Sequence, residues 1–175
     1  LINFLKLVAA GLAVLILQMT VSQLLTIGGA RPDILLIFLL AATLRYGRRT
    51  GLWAGFFLGL AQDALSLGTL GVFALLKSNI CFWIAVWLEG RIGTMSAGWW
   101  MIFVSSAALL QNIIAGLFYV SGMEYLNYLL WIAVPSALYT SLIAFIWILA
   151  PFKRSFVRAV KPTIQRSSRM MRLPH

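Results

Sequence analysis

Apolar residues fall into six runs along the chain, separated by short polar breaks: about Leu7–Ile27, Ile34–Leu44, Gly51–Leu67, Leu70–Leu88, Trp99–Val120 and Leu129–Ala150. A helix crossing a bilayer needs about 20 predominantly apolar residues, so the second run is short and the third slightly short. Folding those two into a re-entrant hairpin would place the tip, Arg45-Tyr46-Gly47-Arg48-Arg49, in hydrocarbon, which is too expensive for three cations. The pattern therefore predicts an all-α membrane protein, a six-helix transmembrane bundle over residues 1–152, in which Arg45 snorkels to the interface. A basic cytoplasmic tail follows over 153–175. The first run exceeds the usual core of a signal peptide and lacks a clear small-residue cleavage site, so it is read as a retained helix.

The third run carries the most information. Gly51, Gly55, Gly59 and Asp63 recur every fourth residue on one slowly rotating stripe, followed after Ala64 by Leu-Ser-Leu-Gly-Thr-Leu-Gly with Gly68 and Gly71. Lipid gives helices no hydrophobic reason to associate, so small residues that permit close backbone approach mark a packing surface. The expectation is that this stripe receives a partner's transmembrane helix. An aspartate on it must be paired or wet. Asp63 lies about 18 Å along its helix, and Lys77 about 10 Å down the next one, antiparallel to it. The two fall at similar depth, which predicts an ion pair locking the third helix to the fourth. A second arrangement leaves Asp63 accepting backbone N–H groups of the glycine turn.

Pro32 and Asp33 open the second helix on the outer side, with proline in the first turn and an acid favouring the helix dipole. The fifth run places Ser105, Ala108, Asn112 and Ala115 on one face, and the sixth Ser136, Thr140 and Ala144, stripes that suit helix–helix packing. Pro135 is expected to kink the sixth helix.

Composition sharpens this picture. Of 175 residues, 62% are hydrophobic and 10% charged, against about a quarter charged in an ordinary soluble domain. The net charge of +10 is distributed as a topology signal rather than a nucleic-acid surface. With the amino terminus inside, the cytoplasmic side receives Lys6, Arg45, Arg48, Arg49, Arg91 and seven tail cations, among them Lys153, Arg154 and Arg158. The outer side receives Arg31, and Lys77 stays within the membrane. This positive-inside bias places both termini in the cytoplasm and brings the tail to anionic lipid. Trp53, Trp87, Trp99, Trp100 and Trp147 mark the inner boundary, and Tyr125, Tyr128 and Trp131 the outer one.

Candidate chemistry is sparse. The only histidine is the last residue, the only cysteine (Cys81) sits in an apolar run, and the chain has four acidic residues. No nucleophile elbow, zinc-binding helix, phosphate loop or close carboxylate pair is present, so neither a catalytic constellation nor a metal or cofactor site is expected.

The Pro32-Asp33 pair before a Leu/Ile-rich helix, the basic loop at Arg45–Arg49, the glycine run ending at Asp63 and the Gly68-Thr69-Leu70-Gly71 turn together resemble the MreD family of bacterial rod-shape-determining membrane proteins. The resemblance implies a non-enzymatic scaffold of the cell-elongation, peptidoglycan-synthesising machinery in the inner membrane. It further implies MreC as partner, then the RodA–PBP2 synthase and MreB on the cytoplasmic side, and a fold similar to the substrate-binding subunits of energy-coupling-factor transporters. A homo-oligomer is left open. The rival reading is a vitamin-binding subunit of such a transporter, which should hold a small molecule under a long loop after the first helix; the loop here, Gly28 to Asp33, is short for a lid.

Overall fold

The computed structural model describes residues 2–24, 26–66, 70–88, 97–120, 122 and 124–149. These form helices α1 (Ile2–Leu24), α2 (Ile34–Tyr46), α3 (Arg48–Ser66), α4 (Val72–Leu88) and α5 (Ala97–Tyr119). A sixth rod is assembled from α6 (Glu124–Tyr128), a π-helical turn (Leu129–Ala133) and α7 (Val134–Leu149). No strand occurs among the described residues; Ile27 and Ala30 make a single bridge that closes the α1–α2 turn. Gly68 and the tail cations Lys153, Arg154 and Arg158 lie outside the described residues.

Helix α2 is the centre. It touches α1, α3, α4, α5 and α7, and Leu35, Leu36, Ile37 and the run Leu39–Thr43 are buried along it. Its brevity follows from this position: 13 residues reach about 20 Å, because the helix starts inside the bundle rather than at its rim. A helix buried on every side carries apolar residues all round, which explains the unbroken Ile-Leu-Leu-Ile-Phe-Leu-Leu opening.

Helices α3 and α4 form the most extensive pair, and the glycine stripe makes it. A Cβ built on Gly55 would lie 2.9 Å from the Lys77 carbonyl oxygen and from the Ser78 Cα; one on Gly59 would lie 2.6 Å from the Ala74 Cα and the Phe73 carbonyl oxygen. Gly51 faces α2 instead, where its Cβ would meet the Thr43 hydroxyl at 2.3 Å. This corrects the expectation of a partner-receiving stripe. The close approach is consumed within the monomer, because the short turn at Leu70-Gly71 brings α4 back along that same face. Gly71 has φ +98 and needs its missing Cβ there.

In the sixth rod, Pro135 lacks the N–H that an α-helix would direct to Trp131, and its ring crowds the turn before it. The chain responds with the π turn at Leu129–Ala133, one turn upstream of the proline. Tyr125 and Tyr128, expected at the outer boundary, pack inward over Gly116 of α5. Their hydroxyls donate to the carbonyls of Ile113 (2.9 Å) and Asn112 (3.4 Å).

Candidate functional site: a buried polar hub

Large apolar side chains cover the outside of the bundle while three of its charged groups, Asp33, Asp63 and Lys77, lie within. Trp53, Trp83, Trp131, Leu130, Leu138 and Ile146 are among those more than half exposed, whereas Lys77 is 0% and Asp63 1% exposed. Such an exterior is stable in hydrocarbon and a liability in water. Two helical stretches, Gly98–Tyr119 and Glu124–Ile146, are long and apolar enough to cross a membrane.

Six of the interior polar side chains, Gln18, Asp33, Lys77, Gln111, Ser136 and Thr140, converge on the N-terminus of α2. A helix start exposes N–H groups without intrahelical acceptors, and burying it requires the surroundings to supply them. Four helices do so. The Asp33 carboxylate caps its own helix, accepting from the Leu36 N–H at 2.8 Å. Gln18 of α1 accepts from the Leu35 N–H at 2.7 Å. From α7, the Thr140 hydroxyl accepts from the Asp33 N–H at 3.0 Å and the Ser136 hydroxyl from the Arg31 N–H at 3.1 Å. Thr140 in turn donates to the Ser136 carbonyl at 2.8 Å.

The other carboxylate oxygen of Asp33 receives two side chains, the Lys77 ammonium from α4 and the Gln111 amide from α5, the latter at 2.7 Å. Lys77 also lies 5.9 Å from the centre of the Phe73 ring. One aspartate thus joins α2, α4 and α5 directly, and α1 and α7 are bound to the same helix start. Isolated charges are very costly in such a setting, whereas a paired and hydrogen-bonded set is tolerated.

This arrangement corrects the pairing expected for Lys77. Its counter-ion is Asp33, not Asp63. The start of α4, inside the bundle at Ala74, sets a demand of its own for hydrogen-bond acceptors. Asp63 meets it, accepting from Gly71 at 3.0 Å, Phe73 at 3.1 Å and Ala74 at 3.0 Å. The second arrangement open to Asp63 is therefore the one adopted, with both oxygens engaged by the turn and the first turn of α4. Asp33, which the sequence put at the outer edge as a simple helix start, is instead buried as the centre of the hub. Pro32 precedes it and is buried too.

The packing stripes on the fifth and sixth runs lie inward where expected: Ala108, Ala115, Ser136, Thr140 and Ala144 are buried, and Ser105 and Asn112 partly so. Gln111 and Gln18 were not anticipated. Only a glutamine's position beside an apolar face marks it in sequence, and α5 already offered a plausible small-residue face one position away. At the other end of the bundle Arg45, Arg48 and Arg49 are exposed, around the single-residue link Gly47. Among the described residues no group of three or more His, Cys, Asp or Glu could hold a metal ion.

An all-helical bundle with an apolar exterior, and charges that bind its own helices to one another, defines a membrane protein held together by internal polar contacts. The comparison with known families agrees with that class. The chain belongs to the MreD family: the family model for rod shape-determining protein MreD matches residues 1–160. No curated protein and no solved structure matches it. Membership gives the protein a role in rod-shape determination and places it in a family not known for enzymes.

Proposed function

We propose that this protein is a non-enzymatic, multi-pass inner-membrane scaffold of the cell-elongation complex, with both termini cytoplasmic, which holds MreC and through it the RodA–PBP2 synthase. The observation that carries the reading is the fate of the buried charges. Asp33, Lys77 and Asp63 are all engaged by the protein's own backbone and side chains. What the monomer offers outward within the membrane is apolar surface, such as the Trp53–Phe57 stack on α3 and the row Leu126, Leu130, Val134, Leu138, Leu142 and Ile146 on the sixth rod. Surfaces of this kind bind other transmembrane helices by shape and dispersion. The reading includes a likeness of fold to the substrate-binding subunits of energy-coupling-factor transporters. The vitamin-binding rival is disfavoured by the α1–α2 turn, where Ile27 and Ala30 exchange backbone hydrogen bonds of 3.2 and 3.0 Å and the following residues are tied to α7.

Photo-crosslinking tests it. A photoreactive amino acid placed singly at Trp53, Trp83, Trp131, Leu138 and Ile146, in cells making MreC and RodA, should capture one of them from a contiguous subset of positions. Capture of neither at any position, with a small molecule released on denaturing the purified protein, would replace the scaffold by the vitamin-binding reading.

A further inference from the structure

A second polar feature lies at the opposite end from the hub. Helices α2 and α3 meet at Gly47, whose φ of +89 makes the one-residue link possible. Arg45 and Arg49 stand on either side of that corner, both exposed. The Arg45 guanidinium lies 5.4 Å from the centre of the Tyr46 ring, which holds it alongside. Arg49 belongs to the first turn of α3, where helix N–H groups lack intrahelical acceptors and the helix dipole is positive.

An independent observation fixes the depth of this corner. Gly55 of α3 sits against Lys77–Ser78 of the antiparallel α4, so six residues further back Arg49 comes level with Trp83. Gly11 of α1 sits against Leu58 of the parallel α3, so five residues back Lys6 comes level with Trp53. Trp53, Trp83 and Trp87 are each more than half exposed. By that register Trp83 is level with Arg49, Trp53 lies about 6 Å deeper and Trp87 about 6 Å further out; outward tryptophans in such a band mark the headgroup boundary of a bilayer. The arginines therefore stand where lipid phosphates are. Among the described residues the carboxylates are Asp33, Asp63 and Glu124. The first two are buried, and Glu124 starts α6 at the far end.

We propose that the α2–α3 corner binds the headgroup phosphate of an anionic phospholipid, with Arg45 and Arg49 as its ligands and Tyr46 and Trp53 against the glycerol and upper chains. The guanidinium fork matches a phosphate's oxygens, and two such groups flanking one site favour a lipid with net negative charge over a zwitterionic one. The site rests on the inner-membrane orientation given under the proposed function, but not on MreC binding.

The test uses the full chain purified in detergent and native mass spectrometry, with phosphatidylglycerol, phosphatidylcholine and inorganic phosphate added separately. Wild type should bind phosphatidylglycerol well above phosphatidylcholine, and Arg45→Gln/Arg49→Gln should weaken it about tenfold or more. Arg45→Lys/Arg49→Lys should recover part of the preference, which guards against a fold defect in the glutamine variant. A tail variant, Lys153→Gln/Arg154→Gln/Arg158→Gln, should retain it. The proposal is overturned if the glutamine variant binds phosphatidylglycerol as wild type does, if the tail variant loses the preference instead, if phosphatidylcholine binds equally, or if inorganic phosphate displaces the lipid at matching concentration. MreC capture measured on the same variants separates the two readings, since loss of lipid with unchanged capture leaves the scaffold standing.

Discussion

Replacing Asp33 by asparagine separates charge from geometry at the centre of the bundle. Asparagine caps a helix about as well as aspartate and has nearly its shape, so the bond from the Leu36 N–H survives. What is lost is the counter-charge of Lys77, a side chain with no exposure whose ammonium also lies beside the Phe73 ring. Removing one partner of a buried ion pair costs about 3–5 kcal/mol, because the other charge is left uncompensated. The reverse substitution is milder. Lys77→Met replaces the ammonium by an apolar chain of similar length and leaves Asp33 its bonds from Leu36 and Gln111, at 2.8 and 2.7 Å. A loss of about 1–3 kcal/mol is expected. The double variant Asp33→Asn/Lys77→Met leaves no orphan charge and should be at least ~2 kcal/mol more stable than Asp33→Asn alone. Unfolding of the purified protein in mixed micelles by titrated dodecyl sulfate, followed by tryptophan fluorescence, measures all three. Additive losses, or Asp33→Asn no worse than Lys77→Met, would refute the hub.

Three further outcomes follow from single contacts. Asp63→Ala strands the Gly71, Phe73 and Ala74 N–H groups and should cost about 3 kcal/mol; hydrogen exchange should quicken at the start of α4 while α7 keeps its protection. Thr140→Val keeps the volume but removes the acceptor for the Asp33 N–H, lowering stability by about 1–2 kcal/mol in the same titration, and Thr140→Ser should restore most of it. Gly116→Leu builds a Cβ 2.5 Å from the Tyr128 ring and 3.0 Å from the Tyr125 ring; it should displace both tyrosines, seen as loss of their near-ultraviolet circular dichroism, with about 1–3 kcal/mol of destabilisation.

The helical class and the six runs were legible because an apolar chain with short breaks admits few other arrangements in lipid. The small residues of the glycine, serine and threonine stripes were legible as packing surface for the same reason. What periodicity could not supply was the identity of the partner helix. Gly55 and Gly59 look the same whether α4 or another protein lies against them, and only the turn after Asp63 decides between the two. Depth along neighbouring helices does not by itself settle the pairing of Lys77. Asp33 became its partner through the burial of the α2 start, a consequence of α2 being central, which no local pattern around Pro32 announces. Gln111 and Gln18 carry no local signal for a related reason: each answers a demand set by a helix far away in the chain.

The central claim is that the close-packing and ionic groups of this protein serve its own assembly, leaving its outward apolar faces for partners. Unfolding of the isolated protein carrying Gly55→Leu, with no MreC present, tests that most directly. Because a Cβ there would sit 2.9 Å from α4 backbone atoms, the isolated variant should be markedly destabilised. An isolated variant as stable as wild type, which nevertheless fails to capture MreC, would show that the stripe meets another chain instead.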